Sequence, residues 1–105
     1  MIDQKTYLRE KRRLAIAANR FARLRQEVPA NPYSHEADAE AMPKAMNAAV
    51  RLFDVAREGL DIFAEVGYPD AWHRWDVAER DAAAFIHRHR SDYEAISGCK
   101  IGRGI

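Results

Sequence analysis

An apolar residue returns at a fixed interval along the first part of the chain. Tyr7, Leu14, Phe21 and Val28 are seven apart, with Ala17 and Leu24 three after Leu14 and Phe21. That spacing predicts an amphipathic helix with one buried face, running from about Asp3 to Val28 and closed by Pro29 and Pro32, neither of which can donate to a helix ladder. Residues 29–41 then read as a loop, with Asn31 or Ser34 placed to cap a short helical turn around residues 34–42. Pro43 is compatible either with the first turn of a second helix or with a longer, kinked one.

From Met42 the pattern strengthens. Met42, Met46, Ala49, Phe53, Ala56, Leu60 and Phe63 alternate spacings of four and three, and Gly67 follows where a left-handed cap is easiest for glycine. Tyr68-Pro69-Asp70 makes a turn and starts a third helix, with Pro69 near the first helical position and Asp70 at the positive end of the dipole. Trp75, Ala78, Ala82, Phe85, His89, Tyr93 and Ile96 share one face of it, and Trp72 stands one turn earlier. The glycines Gly98, Gly102 and Gly104 mark residues 98–105 as a flexible tail. The expected fold is all-α: a small three-helix bundle in one domain, residues 1–97, with antiparallel helices joined by short connections. So small a core would gain from self-association, so a homodimer is compatible with this fold.

Composition supports helix over strand. The 105 residues include 19 alanines, against 13 for valine, isoleucine and threonine together. With 48% hydrophobic and 31% charged residues, the chain is too apolar for a disordered one. Its longest apolar runs, Leu14 to Ala18 and Ala82 to Ile86, are far short of the roughly 20 residues that span a membrane. The opening MIDQKTYLREKRR lacks the apolar stretch of a secretory signal, which predicts a cytoplasmic protein with no membrane partner. A lone cysteine, Cys99, excludes an intrachain disulfide and a multi-cysteine zinc site.

Charge divides by segment. The formal net charge is +1, yet residues 1–27 carry eight Lys or Arg against three Asp or Glu, and residues 28–70 carry three against eight. On the first helix Arg9, Arg12, Arg20 and Arg23 fall within about 80° of one another, opposite the Leu14–Phe21 stripe. Such a stripe can follow phosphates, meet an acidic protein surface, pair with the acidic second helix, or simply face water. No aromatic residue interleaves it, which weighs against single-stranded nucleic acid. Ile16 sits among the arginines. On the second helix Val55 and Ile62 lie opposite the Met46–Phe53–Leu60 stripe, so that face is expected to meet the third helix, a second copy or another protein.

Candidate chemistry is sparse. Trp72 and Trp75 share a face and read as an anchor for the start of the third helix, with a partner hot spot as the alternative. His87 and His89 are about 200° apart on a helix, so one ion cannot take both. His73 with Asp76, and His89 with Asp92, each offer two ligands where zinc needs three or four, so no metal and no cofactor is expected. Ser91 lies near both histidines in sequence but shares no convergent geometry with them. Asp76 is placed to pair with Arg80 one turn on. Ser97-Gly98-Cys99-Lys100 follows a helix instead of preceding one, unlike a phosphate-cradling loop. The chain reads as a non-enzyme.

The stretch from Gly59 to Trp75, GLDIFAEVGYPDAWHRW, resembles the helix–turn–helix hairpin of small phage and prophage proteins, a likeness that extends over residues 59–86. Proteins of that kind include anti-CRISPR proteins and other anti-defence inhibitors. The resemblance carries no catalytic or ligand-binding residue. It implies a stoichiometric inhibitor encoded by a phage or mobile element, acting in a bacterial host on a protein or nucleoprotein complex such as a CRISPR effector. The residues expected to bind the partner are Arg9, Arg12, Ile16, Arg20 and Arg23, then Val55 and Ile62. Two other classes remain open: a nucleic-acid-binding protein using the same arginines, and a virion structural or assembly protein forming a homo-oligomer on the Val55–Ile62 face.

Overall fold

Three stretches of strong helix formers, each punctuated by proline or glycine, give three long helices. The computed structural model describes residues 4–28, 38–63 and 69–97. Helix α1 spans Gln4–Arg25, α2 spans Asp38–Phe63 and α3 spans Pro69–Ser97, and no strand occurs among the described residues. The chain is an all-α bundle. Its proposed cap at Gly67 and its tail at 98–105 lie outside the described residues.

The boundaries differ from the sequence reading in two places. Helix α1 ends at Arg25 and tightens into turns through Glu27 N–H to the Leu24 carbonyl and Val28 N–H to the Arg25 carbonyl, each 3.2 Å. Helix α2 begins at Asp38, so residues 38–42, expected as part of a short turn, are its first turn; residues 34–37 lie outside the described set. Pro43 is therefore inside α2, one turn beyond its start. There its missing N–H deprives the Ala39 carbonyl of a ladder partner. The buried side chains of Ala41, Met42, Ala45 and Met46 hold this first part of α2 in place.

Ring contacts set the direction of each helix. At one end Tyr7 meets Phe63 at 5.8 Å and Trp75 at 6.1 Å, and Phe63 meets Trp75 at 4.7 Å. The start of α1, the end of α2 and the start of α3 thus come together. Further along, Phe21 packs edge-on against Phe85 at 5.1 Å. Helices α1 and α3 therefore run in the same direction and α2 runs against both, as the expected antiparallel connections require.

Helix α2 lies in the middle and packs on both neighbours. Its buried side chains Ala45, Met46, Ala48, Ala49, Leu52, Val55, Ala56 and Phe63 cover about half of its circumference. Alanine along this surface lets two helices approach one, since short side chains reduce the interaxial distance. From α1 come Leu14, Ala17 and Phe21, and from α3 come Trp75, Ala82, Phe85 and Ile86. Among the described residues no helix is long and apolar enough to cross a membrane.

Candidate functional site

The outer face of α1 is where charge and exposure coincide. Arg9, Arg12, Arg20 and Arg23 are all exposed, and Ile16 among them is 64% exposed. The structure adds Lys5 and Leu8, the latter 51% exposed, which the sequence reading passed over. A shallow depression of about 320 Å³ is bounded by Lys5, Leu8, Arg9, Arg12, Arg13 and Ile16. Leu8 and Ile16 are eight residues apart, about 12 Å along the axis. Two aliphatic side chains thus stand in water, surrounded by cations.

This face is purely basic because the acidic residue of α1 lies on the opposite, buried side. Helix α1 holds a single acidic residue, Glu10, against eight lysines and arginines. Glu10 is 1% exposed, three residues after Tyr7 and four before Leu14, so it occupies a core position of the seven-residue pattern. Arg13 donates from Nη1 to both Glu10 oxygens at 3.1 and 3.2 Å, and from Nη2 to Glu58 of α2 at 2.8 Å. Arg9 Nε lies 3.5 Å from Glu10 Oε1. The hydrogen bond to Glu58, against partial desolvation and reinforced by Glu10, raises the Arg13 pKa above its ordinary value. Arg13 is charged at every physiological pH. Glu10 contributes no exposed negative charge to α1, and a core-position glutamate followed three residues later by arginine is the sequence signal that could have revealed it.

The arginines that bind the rest of the bundle are thus different from the four on the outer face. Besides Arg13, Arg25 donates to both oxygens of Asp81 in α3 at 2.9 and 3.1 Å, and its guanidinium sits 4.8 Å from the centre of the Phe21 ring. Arg12, Arg20 and Arg23 make no ion pair among the described residues.

Val55 and Ile62 do not form a docking surface. Val55 is 1% exposed inside the chain's own core, and Ile62 is half-buried against the same core. The reason is the central position of α2, whose two sides are both covered within the chain. The homo-oligomer reading built on that face loses its surface.

The other candidates fall into place without chemistry. Trp75 is fully buried and anchors the start of α3, while the Trp72 side chain lies outside the described residues. His87 is exposed, and half-buried His89 packs against Phe85 at 4.5 Å with the ring planes tilted by 46°. Asp76 pairs with Arg80 at 3.3 Å, as the i, i+4 spacing predicts. Ser91 is exposed, and Asp92's side chain and Cys99 lie outside the described residues. Among the described residues no three His, Cys, Asp or Glu side chains converge to hold a metal ion. Comparison with protein-family models, curated proteins and solved structures finds no match for this chain.

Proposed function

We propose that the protein is a non-enzymatic binding protein that docks the outer face of α1 on an acidic surface of a partner protein. The observation that carries this reading is the exposure of Arg9, Arg12, Arg20 and Arg23 around the exposed Leu8 and Ile16, with the acid of α1, Glu10, buried on the other side. Arginines around a small apolar centre are the composition of a protein interface, where the aliphatic groups lose water and the guanidinium groups take carboxylates. The likeness of residues 59–86 to small phage proteins supplies the class of partner: a host nucleic-acid-handling complex, such as a CRISPR effector, blocked stoichiometrically. The sign of the charge limits where on such a target the protein sits. A basic helix is repelled by a basic nucleic-acid channel, so inhibition proceeds from an acidic flank and not by imitation of nucleic acid.

A second reading, direct binding to nucleic acid, is favoured by the lack of ion pairs at Arg12, Arg20 and Arg23 among the described residues. It predicts affinity for duplex DNA or RNA that falls steeply with salt, in proportion to the phosphates neutralised. Leu8 and Ile16 have no role in it.

The test is a nuclease-treated pull-down from bacterial lysate with three proteins of matching circular dichroism: the parent, Ile16→Ser, and Arg9→Glu/Arg12→Glu/Arg20→Glu/Arg23→Glu. A protein held by the parent and lost by both variants supports docking through this face. Loss of all capture once nucleic acid is digested, with Ile16→Ser binding DNA as the parent does, moves the assignment to the second reading. A partner retained by both variants removes the face from consideration.

A further inference from the structure

Helices α1 and α3 touch through rings at Tyr7–Trp75 and again at Phe21–Phe85. Between these contacts they present alanines: Ala15 and Ala18 on α1, Ala78 on α3. Side chains that short do not close the gap that the rings close, and a groove of about 690 Å³ opens there. Leu14, Leu52 and Val77 give it an apolar lining, with Leu52 contributed by α2 from below. Val77 is 50% exposed at its edge.

The polar groups around the groove are unequal in sign. Lys11 stands on the α1 side and Arg74 and His73 on the α3 side. The acid among the lining residues is Asp81, and its carboxylate is already held by Arg25 at 2.9 Å. Among the described residues neither Lys11 nor Arg74 makes an ion pair, so the groove offers positive charge beside an apolar floor.

We propose that this groove is a second docking site, distinct from the outer face of α1, and that its occupant is an acidic amphipathic helix of a partner protein. Dimensions fit that occupant. From Lys11 to Ala18 the axis advances about 10 Å and from His73 to Asp81 about 12 Å, two turns of a helix. Apolar residues of the incoming helix at i, i+3 and i+4 rest on Leu14, Leu52 and Val77, and its carboxylates meet Lys11, His73 and Arg74. A helix so placed completes a four-helix packing in which the short Ala15, Ala18 and Ala78 side chains admit its backbone. A nucleic-acid strand would use the cations and leave the apolar floor uncovered, so the lining favours a protein helix.

The test uses the full chain, ¹⁵N-labelled, and two synthetic helical peptides of about twelve residues. One carries leucines at i, i+3, i+4 and i+7 with glutamate elsewhere, and its twin carries lysine for every glutamate. The acidic peptide is expected to shift the amides of residues 11–18 and 73–81 and to bind at least about tenfold more tightly than its twin. Val77→Glu sets a like charge against it and Ala15→Trp fills the groove. Each weakens binding by about tenfold or more, while Lys44→Glu on α2 leaves it unchanged. Equal binding of the twin, shifts confined to the outer face of α1, or no shift at millimolar peptide would overturn the proposal. So would self-association that perturbs the same amides without peptide, which would make a second copy the occupant. Neither Val77 nor Ala15 belongs to the outer-face site, so the two sites succeed or fail separately.

Discussion

The indole of Trp75 lies directly against the α carbon of Gly59: a β carbon built on Gly59 would fall on the ring atoms Cδ1 and Nε1. Among the described residues Trp75 is the largest fully buried side chain, and its Nε1 has no hydrogen-bond partner there. Glycine within α2 thus admits the bulkiest member of the core, on the edge of the ring that carries the N–H.

Gly59→Ala is expected to destabilise the protein even though alanine is the better helix former by about 1 kcal/mol. Overlap with a buried ring costs about 1–3 kcal/mol and the indole has no free space to move into. Thermal melts followed by circular dichroism should show a lower Tm. A second substitution, Trp75→Phe, should recover part of the loss in a double-mutant cycle, because the smaller ring vacates the overlap. A Gly59→Ala protein as stable as the parent would refute the close approach.

Glu10→Gln keeps the shape of the buried side chain and removes its charge. Arg13 then retains only Glu58 as a charged partner, and a loss of about 1–3 kcal/mol is expected from weakening a buried, charge-assisted pair. Replacing both partners, Glu10→Leu with Arg13→Leu, should be less damaging than Arg13→Leu alone, which takes the closest cation from the buried Glu10 carboxylate. Urea denaturation of the three variants decides this. The opposite order would mean that Arg9 satisfies Glu10 without Arg13.

The helices were legible because each has a recurring apolar residue and a proline or glycine boundary; what escaped was the width of the buried surface on α2. Large residues on that helix form two lines, Met46–Phe53–Leu60 and Val55–Ile62, that look like a core face and a back face. In the structure Phe53 and Leu60 are only half-buried, and the centre between the two lines is Ala45, Leu52, Ala56 and Gly59. Small residues register weakly in an apolar pattern yet pack most closely, so one broad surface read as two narrow ones. Glu10 escaped for the complementary reason: a scan for apolar recurrence passes over a carboxylate at a core position. The outer face of α1 needed only helical geometry and the absence of apolar partners, and its arginines are exposed as that geometry requires.

Val55→Asp and Ile16→Asp separate a core valine from a surface isoleucine. The first buries an unpaired charge in the α2 core and should abolish cooperative unfolding at 25 °C. The second should change stability by no more than about 0.5 kcal/mol, with a superimposable circular dichroism spectrum. If Val55→Asp folds normally, the central position of α2 is wrong.

Arg25→Ala removes an ion pair to Asp81 and the guanidinium over Phe21. Both partners of the pair are partly exposed, so the pair contributes about 0.2–1 kcal/mol and the ring contact about 0.5–1 kcal/mol. Asp81→Asn removes only the first and should cost less. Half a molar salt should shrink the difference between the parent and Asp81→Asn, because screening acts on the pair. Urea midpoints at low and high salt measure it.

The buried Glu10 carboxylate also bears on how molecules of this protein meet one another and meet anything else. With no exposed acid on α1, the field of that helix reaches outward for about a Debye length, roughly 8 Å at physiological ionic strength, without interruption along its length. An acidic partner is drawn in before contact, and its capture rate should fall as salt rises even where the final affinity rests on Leu8 and Ile16. The same field opposes the approach of a second copy in the α1-to-α1 orientation. A helix whose exposed charges are all of one sign therefore has both a long reach toward acidic surfaces and a barrier against pairing with itself.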